Sequence, residues 1–495
     1  MIKKLQSGSD IRGIASNINN NLIELTNDIT EKIMQGFAIW LSNTSNLNFR
    51  DISIAVGHDS RNSAMRIKNV VINTLRNMGI TVYDCSLSST PAMYMAISIL
   101  QCAASIEITA SHLHSDKNGF KFFTSSGSLS SDNITEILNI ANNPEVLLKN
   151  NYVGTVREIN LMSYYCEKLR NLIKNEINSK ENFEKPLKNL KVVVDASNGV
   201  GGFFVREILD ILGADTTGSV CLEPDGNFPV HEPNPEDPEA MNYIANITKK
   251  VGADLGIIFD TDVDRVMIVD SDGEKITHNK FIALVSAIIL EQNPNSIIVT
   301  DSVTSESLKN FIKTLGGHQF RYKRGYNNVI SMAKKIDNKN NSCPLAIETS
   351  GHVAFRENNF IDDGAYLACK ILIKIMLLKK EQKKLHDLIT NYKSPVNEIN
   401  MRFDISSNNN IEKVFNDLEI LAKSGKNIEL DSENVEGTRV YFPAKHQNGW
   451  LLLRKSLHDD KLILYAESYV TNGLKSILDF TKQFLKKYDF ININF

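Results

Sequence analysis

Three aspartates at every second position, Asp260, Asp262 and Asp264, follow the apolar run Leu255 to Phe259 and precede Arg265. A run of that composition reads as a buried strand, and if extended backbone continues beyond it, a period of two sets the three carboxylates on one side. Converging carboxylates repel one another unless a cation sits between them, and hard oxygen ligands suit Mg²⁺. A calcium EF-hand loop is excluded, because it needs glycine at its sixth position and glutamate at its twelfth, where this chain has Arg265 and Ser271. The other candidate is Ser111. The β-branched run from Ile106 to Thr109 predicts a short strand ending on Ala110-Ser111-His112, followed by a polar loop with an Asn118-Gly119 turn. A serine hydroxyl is a weak nucleophile that needs a base, a metal or prior covalent modification. His112 is its neighbour, but adjacent residues in extended chain face opposite ways, so a local Ser-His dyad is not expected.

Further polar loops follow apolar entries. Ala346 to His352 presents Glu348, Ser350 and His352, a carboxylate, a hydroxyl and an imidazole suited to sugar hydroxyls and to proton exchange near neutral pH. Gly449 to Ser468 reads as a two-strand hairpin whose loop carries Arg454, Ser456 and His458, and arginine with a hydroxyl matches phosphate geometry. Arg12 beside Gly13, and Lys323-Arg324-Gly325, are two more cationic turns.

The elements that must carry these loops alternate. Strand Ile52 to Gly57, a helix from about Asn62 to Met78 and strand Ile80 to Asp84 lead towards Ser111, and the rhythm restarts at Lys191 to Asp195 and at Ser296 to Asp301. Such alternation argues for βαβ units, hence three α/β domains. From about Val396 short strands around helices suggest a smaller α+β domain. Glu223 to Ala240 holds five of the twelve prolines and reads as an extended loop.

A chain of 495 residues exceeds one core's usual reach. With 42% hydrophobic and 23% charged residues and a net charge of -3, it is globular without a basic footprint for nucleic acid. Six cysteines without a CxxC pair signal neither a disulfide framework nor structural zinc. The N-terminus lacks the apolar core of a signal peptide and no apolar run is long enough for a bilayer, so a cytoplasmic protein without a membrane segment is expected.

Five loops in order resemble the α-D-phosphohexomutase family, phosphoglucomutase and phosphomannomutase. SGSDIRG resembles its N-terminal loop, TASH…NGFK its phosphoserine loop, DTDVDR its DGDGDR metal loop, ETSGH its GEMSGH sugar loop and RKSLHD its RPSGTEP phosphate loop. The resemblance covers essentially the whole chain. It implies three similar α/β domains with mixed sheets plus a smaller C-terminal α+β domain around a central cleft, divided as 1–155, 156–275, 276–394 and 395–495. It implies a phosphoserine at Ser111, Mg²⁺ held by Asp260, Asp262, Asp264 and a phosphoserine oxygen, and a phosphoserine contact from Arg12. Lys121 and His352 would handle protons, Glu348 and Ser350 would grip hexose hydroxyls, Lys323 and Arg265 would lie near substrate, and Arg454, Ser456 and His458 would hold the non-reacting phosphate.

The expected reaction interconverts hexose 1-phosphate and hexose 6-phosphate, glucose first and mannose second, through a hexose 1,6-bisphosphate that also serves as activator. The partner is then a sugar phosphate, the protein a monomer or homodimer. Departures are SHLH for SHNP and Leu457-His458 for the glycine and threonine of the phosphate loop, which lose backbone freedom and a hydroxyl. They motivate an alternative, a catalytically weak paralogue that binds sugar phosphates as a regulatory or interaction protein. FDTDVD also resembles the nucleophile motif of haloacid-dehalogenase-type phosphatases, with Asp260 as nucleophile.

Overall fold

The computed structural model describes residues 2–18, 21–143, 152–338, 340–406, 410–425, 428–443, 448–456 and 460–493. It divides into two compact units, one of Met1–Phe281 with Ser350–Asp387 and the other of Ile282–Thr349 with Leu388–Phe495.

In the first unit, strands Ser53–His58, Thr81–Leu87 and Ala104–Ile108 alternate with helices Ala64–Asn77 and Thr90–Leu100. The three strands run parallel, and Ala104–Ile108 continues antiparallel through Lys117–Thr124 to Asp10–Ile14. Val156–Glu158 completes this sheet beside Thr81–Leu87, just beyond the 155/156 division read from the sequence. Ala104–Ile108 is buried throughout, as a strand inside a mixed sheet must be. Phe37 and Leu41 of helix Asn27–Ser45, with Val71, Leu75 and Leu138, meet Ile54, Val56, Ile106 and Phe122 in one core. Helix starts are local: Ser89 accepts from Ala92 N beside Pro91, and Ser130 forms a capping box with Asn133.

The Asn118-Gly119 pair is not a turn. It lies inside Lys117–Thr124, where Gly119 pairs with Arg12 and a Cβ would stand 1.9 Å from the Ile11 carbonyl oxygen. Glycine is demanded there by close backbone approach.

A second mixed sheet of the first unit runs Lys275–Ile276, Val266–Asp270, Leu255–Phe259, Val192–Asp195. Val192–Asp195 and Leu255–Phe259 are parallel, whereas Leu255–Phe259 and Val266–Asp270 form a hairpin whose loop is Asp260 to Arg265. The proline-rich stretch is irregular only to Asp237. That residue caps helix Pro238–Val251, so its last proline starts a helix instead of extending the loop.

In the second unit, Ile297–Asp301 lies between His318–Tyr322 and Leu345–Ile347, all parallel. An antiparallel sheet follows, in the order Asn397–Asp404, Lys461–Ser468, Gly449–Lys455, Thr438–Phe442, Glu429–Leu430. Leu418 and Val414 of helix Ile411–Lys423, with Ile477 and Phe484 of Gly473–Leu485, bury its apolar side against Leu451 and Leu464. The α/β rhythm and the smaller C-terminal α+β part are those that the sequence predicts.

Gly119→Ala should weaken pairing of the strands that carry Arg12 and Lys121. The expected loss is about 2 kcal/mol or more in urea unfolding, since the clash is with backbone and cannot be relieved by a rotamer change.

Candidate active site

Ser111 is held in the left-handed region, with φ 49°. That conformation is unfavourable for a residue with a Cβ and persists only where surroundings enforce it. Four bonds do so here. Ser111 N donates to Thr109 Oγ1 at 2.8 Å, and Thr109 Oγ1 donates to Asp59 Oδ2 at 2.8 Å. The Ser111 carbonyl accepts from Arg61 Nη2 at 2.5 Å and from Thr261 Oγ1 at 2.8 Å. Arg61 also donates to the carbonyls of Leu113, His114 and Lys117, and pairs with Asp59 at 3.1 Å with both side chains fully buried. Extended backbone was the premise for separating Ser111 from His112, and it fails at this φ: His112 Nδ1 lies 3.5 Å from Ser111 Oγ. The shorter bond goes elsewhere, from Ser111 Oγ to Asp260 Oδ2 at 2.7 Å, with Arg265 Nη2 donating to Oγ at 3.3 Å.

The aspartates also converge by a route other than the expected one. Their strand ends at Phe259, and the backbone turns through Val263, a β-branched residue at φ 65°. A turn, not a period-two strand, gathers the three carboxylates, each with an oxygen within 4.8 Å of the others and all fully buried. Lys121 Nζ sits 2.9 Å from Asp262 Oδ2 and contacts Asp264 Oδ2, Arg265 Nε lies 3.1 Å from Asp260 Oδ2, and Thr90 donates to Asp262 at 2.5 Å. Asp262 Oδ1 and Asp264 Oδ1 are nevertheless buried without a hydrogen-bond partner among the described residues. A buried carboxylate oxygen left so costs roughly 1–3 kcal/mol, and a divalent cation ligated by all three aspartates removes that penalty. The residues therefore fit a hard metal ion. Burial first, then the charges of Asp264 and Asp262, push the Asp260 carboxyl up to about 7. Burial would raise Asp264 too, but Lys121, His352 and Arg265 more than offset it and hold that carboxyl below the usual range.

His352 Nδ1 is 2.7 Å from Asp362 Oδ2 and 3.8 Å from Asp264 Oδ1. Burial lowers its pKa, yet Asp362 and Asp264 outweigh burial and push it up to about 9, so this imidazole is charged at neutral pH. Arg12 pairs with Asp10 at 2.8 Å and donates to the Thr109 carbonyl, two residues before Ser111. Glu107 pairs across strands with Lys121, and neither of its fully buried carboxyl oxygens has a hydrogen-bond partner among the described residues. Burial, then Asp59 and Asp262, raise its pKa well above the ordinary value, so it keeps its proton.

Ser111, Lys121, Arg12, Asp260, Asp262, Asp264, Arg265 and His352 all lie in the first unit, as does the buried Ser350. Glu348, Lys323, Arg454 and Ser456 belong to the second. There Glu348 Oε1 accepts from Gly325 N at 2.6 Å, Arg402 Nη2 donates to Ser456 Oγ at 3.4 Å, and Lys323 is exposed. His458, with Leu457 and Asp459, lies outside the described residues. Sequence reasoning missed Asp59, Arg61, Thr90, Glu107 and Asp362. Asp59 and Arg61 do follow a strand end, but only the fold shows that they face the serine loop.

Three domain models, described as phosphoglucomutase/phosphomannomutase alpha/beta/alpha domains I, II and III, match residues 3–146, 163–273 and 277–394. A phosphomannomutase/phosphoglucomutase of Pseudomonas syringae pv. tomato is 30% identical over 442 residues, 88% of this chain and 87% of that one. The chain belongs to the phosphoglucomutase/phosphomannomutase family. A phosphoglucomutase of Neisseria gonorrhoeae is likewise 30% identical, over 86% of each chain. The crystal structure of a phosphoglucomutase/phosphomannomutase family protein from Burkholderia thailandensis shares the fold, with a TM-score of 0.81 and 24% identity over 98% of this chain and 97% of that one. The family is one of intramolecular phosphotransferases in the isomerase class. Membership removes the haloacid-dehalogenase reading of FDTDVD. No helix among the described residues is long and apolar enough to cross a membrane.

Two outcomes follow for this family member. The family's DGDGDR motif has glycine where this chain has Val263, so Val263→Gly should be more stable than Val263→Ala by about 1 kcal/mol, reversing the usual order, in thermal or urea unfolding. A carboxyl whose folded pKa is raised binds its proton more tightly in the folded state, so its contribution falls as pH rises from the unfolded value towards the folded one. Glu107→Gln, which mimics the protonated acid, should match the metal-free wild type near pH 5 and exceed it by about 1–3 kcal/mol near pH 9. A gap independent of pH would refute the assignment of a buried neutral acid.

Proposed function

We propose that this protein is a phosphohexomutase that interconverts hexose 1-phosphate and hexose 6-phosphate, glucose most readily and mannose second. It works through a phosphoserine at Ser111 and a hexose 1,6-bisphosphate, which also serves as activator. The carrying observation is Ser111 Oγ seated 2.7 Å from a carboxylate of the buried Asp260, Asp262, Asp264 set, where two oxygens without a hydrogen-bond partner among the described residues call for a cation. Mg²⁺, when bound, supplies electrostatic relief of charge on the phosphoryl group in transfer.

The chain's own residues position and neutralise. Phosphoserine donates its phosphoryl group: the bond from phosphorus to Ser111 Oγ breaks as one to a sugar hydroxyl forms, and the reverse transfer returns the other phosphate to Ser111. Arg265, already donating to Ser111 Oγ, and Arg12, anchored on the Thr109 carbonyl, offer cationic contacts to that phosphate. Lys121 carries the proton of the accepting hydroxyl, with charged His352 as the second proton-handling group. Glu348 and Ser350 grip hydroxyls, Lys323 approaches the sugar, and Arg454, Ser456 and His458 hold the phosphate that is not being transferred. The four domains are those divided at about 155, 275 and 394, and the protein works in the cytoplasm as a monomer or homodimer on sugar phosphates alone.

The test is intact mass with peptide mapping before and after incubation with glucose 1,6-bisphosphate and Mg²⁺. One phosphate on Ser111, discharged by glucose 6-phosphate, is expected, and Ser111→Ala should lower turnover by about 1000-fold or more. No phosphate on Ser111 from any hexose bisphosphate would overturn the mutase reading in favour of a sugar-phosphate-binding paralogue.

A further inference from the structure

Arg324 lies between strand His318–Tyr322 and helix Tyr326–Ile336, and no role has yet fallen to it. Its position is tied at three points. Arg324 N donates to Glu436 Oε1 at 3.0 Å, the adjoining Gly325 N donates to Glu348 at 2.6 Å, and Arg324 Nη1 donates to the Tyr465 hydroxyl at 2.8 Å. Glu436 is itself clamped by the Ser302 hydroxyl. The loop thus joins the carboxylate expected to grip sugar hydroxyls to the antiparallel sheet that carries Arg454.

Tyr465 is shared. The Arg324 guanidinium carbon is 5.9 Å from its ring centre and that of Arg454 is 5.7 Å from the same centre. Arg454 is only 4% exposed, its Nη1 donates to the Lys455 carbonyl at 3.0 Å, and its buried Nε meets no hydrogen-bond acceptor among the described residues. The Arg324 charge is answered in part by Asp301, whose carboxyl burial raises and this guanidinium pulls back down. The need for an acceptor therefore rests on the Arg454 Nε, and the planar forks of both guanidinium groups match phosphate oxygens better than a point charge would. Arg402, on the same antiparallel sheet as Arg454, donates to the Ser456 hydroxyl at 3.4 Å.

We infer that Arg324, seated by Tyr465 and Glu436, is a second binding arginine for a phosphomonoester dianion, acting with Arg454 on the phosphate that is not being transferred. The inference rests on the sugar-phosphate reading above and extends it to a residue that reading leaves out. A hexose phosphate then spans from Glu348 at its hydroxyls to Arg324 and Arg454 at its phosphate, with Gly325 and Arg324 adjacent in the chain.

Equilibrium titration of the full-length protein with glucose 6-phosphate tests this without requiring turnover. Arg324→Ala should raise Kd by roughly 10-fold to 100-fold, Arg324→Lys should recover part of the loss, and Tyr465→Phe should weaken binding about threefold, all with melting temperatures close to wild type. In assays of turnover, KM should rise while kcat stays within about threefold, which a general loosening of the fold would not produce. A folded Arg324→Ala protein that binds within about twofold of wild type would overturn the inference. Should that variant not fold, wild-type affinity in both Arg324→Lys and Tyr465→Phe would do the same. Wild-type protein that binds glucose 6-phosphate with this Arg324 dependence but never turns over glucose 1-phosphate would leave the inference standing and remove the mutase reading. No binding by wild type would remove both.

Discussion

One buried guanidinium organises the Ser111 loop. Arg61 draws the carbonyls of Ser111, Leu113, His114 and Lys117 around itself, and its charge is met by Asp59, which also anchors Thr109 and through it the Ser111 amide. A fully buried ion pair of this kind adds little net stability compared with apolar packing, because both charges lose their hydration. Breaking it is another matter, since one charge would be left alone in the interior. What the pair supplies is geometry: it keeps Ser111 in a strained conformation that points its hydroxyl at Asp260.

Around that hydroxyl the charges are packed more tightly than hydrogen bonds can satisfy. Lys121, Arg265 and His352 face Asp260, Asp262 and Asp264, yet among the described residues two carboxylate oxygens have no hydrogen-bond partner, and Asp260 is driven towards protonation. Glu107 beneath Lys121 is another acid held neutral by burial. Local frustration of this sort marks a place shaped for groups that arrive from outside, and the buried carboxylates fit a cation. In the second unit Arg324 and Arg454 each lie within 6 Å of the Tyr465 ring centre, and the buried Arg454 Nε has no hydrogen-bond partner among the described residues.

Much of this was legible in the sequence because the signals are local. Apolar runs with β-branched residues mark strands, and helix caps lie within a turn of the helices they start, so the α/β rhythm and the strand-end positions of Ser111, Asp260 and Glu348 could be read from spacing. The ordered set of polar loops pointed to the family before any fold was drawn.

Other features were decided only when distant segments met. Asn118-Gly119 reads as a turn by dipeptide, but Gly119 is required because the Ile11 backbone passes against it, a contact about a hundred residues away in the chain. The extended geometry assumed for Asp260 to Asp264, and for Ser111 with His112, gave way to positive φ at Val263 and Ser111, since tertiary hydrogen bonds outweigh a local conformational penalty of about 1–2 kcal/mol. Glu107 and Asp362 carry no spacing signal, and Asp59 and Arg61 only that of following a strand end. The sequence by itself determined the family and the strand-end loops that carry Ser111, Asp260 and Glu348. Tertiary structure decided how charged each group is, because desolvation and Coulomb interaction depend on distances in space that a linear order of residues does not contain.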